Sequence, residues 1–167
     1  MVTSAGSLRD LDEPVSAGRS STSLHYTGIA LDLATNTGMQ DTSQPYLVTA
    51  AGDRRWRVWA RSDQGTEKTL DAVLWSDGSQ RTEQVTARVV DFTGTAIRHG
   101  FLPIRHRASF PKVYKSAEWW HFQYEGVLKP FVSLFGIELL RIYRRDQLEA
   151  HPSVWERRKA LWQASWF

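Results

Sequence analysis

Residues 23–33 read Ser23-Leu24-His25-Tyr26-Thr27-Gly28-Ile29-Ala30-Leu31-Asp32-Leu33. From Gly28 the run alternates, with Ile29, Leu31 and Leu33 on one face and Ala30 and Asp32 on the other, the pattern of a half-buried strand. Gly28 bounds it on one side and Asn36-Thr37-Gly38, a turn, on the other. His25 lies just before the strand and Asp32 within it, seven residues on. Gly28 between them allows a turn or a close backbone approach. An imidazole and a carboxylate can then face one ion from neighbouring turns of chain. The spacing alone is equally that of a surface His and a turn-facing Asp.

Outward from this stretch the chain is rich in extended segments. Residues 46–50, 56–61, 69–75 and 84–90 read as strands, separated by turns at Gly52-Asp53, Asp63-Gln64-Gly65 and Asp77-Gly78-Ser79. Trp56, Val58 and Ala60 alternate with Arg57, Trp59 and Arg61, as expected of antiparallel hairpins with one face exposed. Residues 91–99 suit a short helix stopped by Gly100, and 101–104 a further extended segment. Residues 118–124 read as an aromatic strand and 131–145 as an apolar helix. His151-Pro152 opens a last helix, on which Trp155, Trp162 and Trp166 share one face. Residues 1–22 form a loose lead-in. The order is mixed, so the expected class is α+β, a small antiparallel sheet with flanking helices.

Composition narrows the function. The chain has 167 residues, 41% hydrophobic and 23% charged, which excludes a disordered or collagen-like polymer. The longest apolar run, 130–142, is broken by Glu138 and bordered by Lys129 and Arg141, so no membrane span is expected. Lys and Arg total 21 against 18 Asp and Glu, a net charge of +3 without a long single-sign block. No nucleic-acid partner is expected, although basic residues gather late in the chain and an anionic polymer is compatible with them. The absence of cysteine excludes disulfides, zinc-thiolate sites and thiol nucleophiles. No signal peptide is visible in residues 1–13. The compartment stays open between cytoplasm and cell envelope, and nothing indicates an oligomeric state.

A second patch, Glu118-Trp119-Trp120-His121, carries chemistry. On a regular strand residues three apart point to opposite faces, so a bend or bulge is needed for Glu118 and His121 to reach one site. A strand of aromatic core residues with a satisfied His is the plain alternative. Together the patches supply two His and one Asp. That makes three ligands with one position open for water, and a Glu placed to act as general base.

Ser23-x-His25-x-x-Gly28-x-Ala30-x-Asp32 resembles the signature of the zinc D-alanyl-D-alanine peptidases. Glu118-Trp119-Trp120-His121-Phe122 resembles that family's second signature, ExWH. The family contains D,D-carboxypeptidases, D-Ala-D-Ala dipeptidases and phage endolysins, and shares its fold with the hedgehog signalling domain. The resemblance implies a bacterial or phage metallopeptidase acting on peptidoglycan or other D-amino-acid peptides. His25, Asp32 and His121 would be the zinc ligands and Glu118 the catalytic base. Ser23 and Trp120 would line the substrate pocket. Fe(II), which two His and a carboxylate also suit, ranks below zinc.

The chain departs from the family in three places. The family's upstream Arg, which polarises the scissile carbonyl, has no clear equivalent. Only Arg9 and Arg19 precede His25, and the nearer, Arg19, is the candidate for the role, with an exposed loop Arg the plain alternative and Arg57, Arg61 and Arg105 next. The gap of 86 residues from Asp32 to Glu118 is long, which makes 46–92 a β-rich insertion. Residues 127–167 have no counterpart. The expected organisation is a lead-in over 1–17, a metallopeptidase-like core over 18–126 and a helical extension over 127–167. Two other functions fit less well: a metal enzyme with a different substrate on the same scaffold, and a non-catalytic module that keeps zinc for stability.

Overall fold

Asp91 ends one strand and starts a helix. Its carboxylate Oδ1 accepts the backbone N–H of Gly94 at 2.8 Å, and its side chain also pairs with Arg57. Such an N-cap satisfies a donor that a helix start leaves open. This junction belongs to a computed structural model that describes residues 4–6, 8–13, 23–129, 132–133 and 135–151. Among the described residues the strands are β1 (Ser4–Gly6), β2 (Ala30–Leu33), β3 (Tyr46–Ala50), β4 (Trp56–Ser76), β5 (Ser79–Asp91), β6 (Phe101–Pro103), β7 (His121–Tyr124), β8 (Leu128–Lys129) and β9 (Val132–Ser133). The helices are α1 (Phe92–Arg98), α2 (Phe135–Ile142) and α3 (Arg145–Glu149). The sheets run β1-β2-β7-β6, β3-β4-β5 and β8-β9. The fold is thus mixed α and β, with small sheets and few helices.

The described chain divides into two units. One is built on Asp32–Phe122, the other on Gly6–Leu31 with the residues from Gln123 onward. In the first, β3, β4 and β5 pair antiparallel. The expected strands 56–61 and 69–75 are one strand, β4, and Asp63-Gln64-Gly65 does not reverse the chain. It is a bulge, across which Arg61 and Thr66 both face Val89. Gly65 is required there, because a Cβ would stand 2.5 Å from the Val89 carbonyl carbon. Leu47, Ala72, Ala87 and Val89 form a small buried cluster in this sheet, with Trp59, Leu70 and Val85 packed against it. The hairpin closes at Asp77 and Gly78, both left-handed (φ 49° and 79°), the backbone a two-residue loop demands.

Two tryptophans tie this sheet to the segment preceding residue 118. Trp56 Nε1 donates to the Ala117 carbonyl at 2.7 Å, and Trp75 Nε1 to the Pro111 carbonyl at 2.6 Å. The Trp75 ring also lies 5.1 Å from that of Tyr114.

The second unit has its own core of Leu11, Leu24, Tyr26, Ala30, Leu139 and Leu148. Its apolar helix is shorter than the sequence suggests. Among the described residues of the expected helix over 131–145 stand β9 and α2, and α3 begins at its last residue, Arg145. The expected helix from His151 onward, with Trp155, Trp162 and Trp166, lies outside the described residues.

Candidate metal centre

The stretch that reads as a strand from Gly28 begins as a single 3-10 turn, Leu24–Thr27, and β2 starts at Ala30. The Ser23 Oγ accepts the His25 N–H at 3.4 Å and so caps the turn that carries the imidazole. Gly28 closes it with φ 68°, a left-handed conformation that glycine adopts without cost. Within this unit the Arg9 N–H donates to the His25 carbonyl at 2.9 Å, and Tyr143 Oη donates to the Arg9 carbonyl at 3.1 Å. Leu24 and Tyr26, on either side of His25, are buried with Leu139 and Leu148. The backbone of His25 is thereby held on both sides.

Asp32 lies in β2 and His121 opens β7. Asp32 Oδ1 stands 2.9 Å from His121 Nδ1. His25, Asp32 and His121 each offer one ligand atom, and these atoms lie within 4.8 Å of one another. Ligands around one tetrahedral zinc stand roughly 3.3 Å apart, from bonds of about 2.0–2.1 Å. Two imidazoles and one carboxylate gathered in this way could hold a divalent metal ion. Three protein ligands would leave a fourth position open around a tetrahedral ion.

The second patch resolves its own difficulty by turning. Glu118 is not in the strand; its φ is 53°, an unusual value for a residue with a Cβ. The His121 N–H donates to the Glu118 carbonyl at 3.1 Å, which makes Glu118-Trp119-Trp120-His121 a tight turn, and β7 begins only at His121. Glu118 is buried, and its Oε1 lies 2.6 Å from Arg107 Nη2. A strained backbone at a buried carboxylate is the kind of outlier that marks functional positions.

The two tryptophans of the turn are packing residues. Trp119 is 1% exposed and Trp120 6% exposed, so the Trp120 ring, against Tyr114 and Trp119, has little surface to offer a ligand. Trp119 Nε1 donates to Tyr114 Oη, which itself donates into the Thr35 carbonyl at 2.6 Å. Burial pushes the Tyr114 phenol up to about 12, with the Trp119 N–H acting in the opposite direction.

The cations sort themselves differently from the sequence reading. Arg19 lies outside the described residues. Arg57 is engaged by Asp91, and Arg105 by Asp53. Arg61 donates to the carbonyls of Gln44 and Thr42. Arg107, which sequence reasoning passed over, is the guanidinium on Glu118. It stands in Arg105-His106-Arg107, eleven residues before Glu118, and no spacing rule joins the two. Only the fold between them does. No protein-family model, curated protein or solved structure matches the chain. No described helix is long and apolar enough to cross a membrane.

Proposed function

We propose that this chain is a zinc-dependent hydrolase of peptide bonds, acting on D-amino-acid-containing peptides of bacterial peptidoglycan, on the scaffold common to D-Ala-D-Ala peptidases and hedgehog domains. The observation that carries this reading is the convergence of His25, Asp32 and His121, with buried Glu118 one tight turn before His121. The two motif resemblances supply the substrate class. His25, Asp32 and His121 would hold the metal. A divalent zinc there contributes Lewis acidity and lowers the pKa of water.

The remaining work falls to Glu118. Its Oε1 is taken by Arg107, so Oε2 is the oxygen that receives the proton of the attacking water. The water oxygen bonds to the carbonyl carbon, the C–N bond breaks, and Glu118 passes the same proton to the departing nitrogen. A structural zinc module would have no use for a carboxylate in that place.

The test is a digest of purified peptidoglycan and of D-Ala-D-Ala peptides by the zinc-loaded chain, read by mass spectrometry. Glu118→Gln keeps the shape but cannot take a proton. It is expected to retain one equivalent of metal and to lose turnover by about 10²-fold or more. Wild-type rates in Glu118→Gln would overturn the role of Glu118, and intact substrates with the wild-type chain would overturn the hydrolase reading.

A further inference from the structure

The loop between β3 and β4 is a tight turn. The Arg55 N–H donates to the Gly52 carbonyl at 2.8 Å, and the residues between, Asp53 and Arg54, are both left-handed (φ 47° and 56°). Such a turn favours Asn or Gly at both places. Here an acid and a cation stand there instead, and strained backbone of this kind gathers where ligands are clamped.

A second stretch closes on the turn. The His106 N–H donates to the Arg54 carbonyl at 2.8 Å, and Arg55 Nε to the Pro103 carbonyl at 3.3 Å. Asp53 Oδ2 accepts from two guanidinia, Arg55 Nη1 at 2.7 Å and Arg105 Nη2 at 2.5 Å. Among the described residues no carboxylate pairs with Arg54. Three arginines of the first unit thus share one acid. The Arg105 guanidinium holds the Asp53 carboxyl below the usual carboxylate range, so the acid stays ionised and cancels only one of the three charges. The corner is open to water, with Asp53, Arg54 and Arg105 all exposed.

The type of cation narrows the ligand. The planar fork of Arg matches phosphate oxygens in pairs. Several separate forks suit a chain of repeated phosphates, since each phosphate neutralised releases a counterion and the gains add. A nucleic acid would also use bare aromatic faces on which to stack its bases. The rings beside the corner pack on one another instead. Trp56 is buried, with the His106 and Phe110 rings 5.3 and 5.4 Å from it.

We propose that the corner formed by Asp53, Arg54, Arg55 and Arg105 binds a phosphodiester polyanion of the polyol-phosphate kind. The site uses none of the metal ligands, and the inference stands whether or not the chain is a hydrolase.

The chain is titrated with poly(glycerol phosphate) and, separately, with oligothymidylate of equal charge, by calorimetry over a range of salt. Wild type is expected to bind the polyol phosphate more tightly, with an affinity that falls as salt rises. Arg54→Ala and Arg105→Ala should each weaken binding by about 5-fold or more and lower the salt slope by roughly one. Arg88→Ala, which removes the same charge from an exposed place on β5, should change affinity by less than about 2-fold, as befits a cation outside the site. Asp53→Asn keeps a residue at home in a left-handed turn and removes the competing carboxylate, so it should bind more tightly, a gain that misfolding cannot imitate. No binding by wild type at about 50 mM salt would overturn the proposal. So would equal losses in Arg54→Ala and Arg88→Ala, which would mean diffuse attraction by net charge. Weaker binding by Asp53→Asn would show that the guanidinia are built to hold that carboxylate and nothing else. Tighter binding of oligothymidylate would replace the polyol phosphate with a nucleic acid.

Discussion

At the scale of single residues, ligand type and spacing are legible in sequence, whereas pairing through space is not. His25, Asp32 and His121 stand out because two imidazoles and a carboxylate form a donor set with its own chemistry, and they come within 4.8 Å of one another. His25→Ala and His121→Ala should therefore each abolish stoichiometric zinc, measured by metal analysis of the purified variants. Full occupancy in either would remove that residue from the site. Glu118 is legible as a carboxylate near His121, but its left-handed backbone is not, since glutamate has no preference for φ near 53°. Arg107 is illegible for a different reason. Nothing about an Arg in a basic tripeptide distinguishes it from Arg105, yet one meets Glu118 and the other Asp53.

At the scale of elements, the sequence is read well where alternation and end signals agree. β3 matches the expected bounds of 46–50, and α1 lies within the expected 91–99, because Asp91 and Gly100 mark the helix at both ends. It is read poorly at Asp63-Gln64-Gly65, whose composition is that of a turn but whose glycine is needed for close approach to Val89. The apolar run after residue 130 divides because burial there is partial. Leu139 is buried in α2 while Leu140 and Ile142 are 46% exposed. Leu139 and Leu148 share a core with Leu24 and Tyr26, the neighbours of His25, so α2 and α3 back the turn that carries His25. Leu148, 1% exposed, should cost about 2–5 kcal/mol when cut to Ala, the range for a buried Leu that leaves a cavity. Urea denaturation of Leu148→Ala checks this. A loss below about 1 kcal/mol would show that α3 contributes little to that core.

At the scale of the whole molecule, the long hairpin of β4 and β5 needs a structural reason. Sequence alone leaves the β-rich stretch 46–92 either as a lid or wall of a cleft or as a passive decoration. The long-range contacts indicate a third role, support of the segment that ends at Glu118. Trp75, far along β4, donates its backbone N–H to the Met39 carbonyl at 2.5 Å and its indole N–H to the Pro111 carbonyl at 2.6 Å. Its ring meets Tyr114, whose hydroxyl accepts from Trp119 within the turn. A chain of contacts thus runs from the hairpin through Pro111 and Tyr114 to the turn that sets Glu118. Trp75→Phe keeps an aromatic ring but deletes the donor to Pro111, leaving a backbone carbonyl without its partner, at a cost of about 1–3 kcal/mol if that oxygen stays dry. For a protein of this size each kcal/mol lowers Tm by roughly 2–4 °C. The loss should be local before it is global. Hydrogen exchange is expected to quicken at the amides of Val113, Ser116 and Ala117, all donors to backbone carbonyls in that segment, while β3 amides keep their protection. Uniform loss of protection across both regions would mean that Trp75 supports the fold at large, and unchanged exchange over 113–117 would mean that the hairpin does not steady the approach to Glu118.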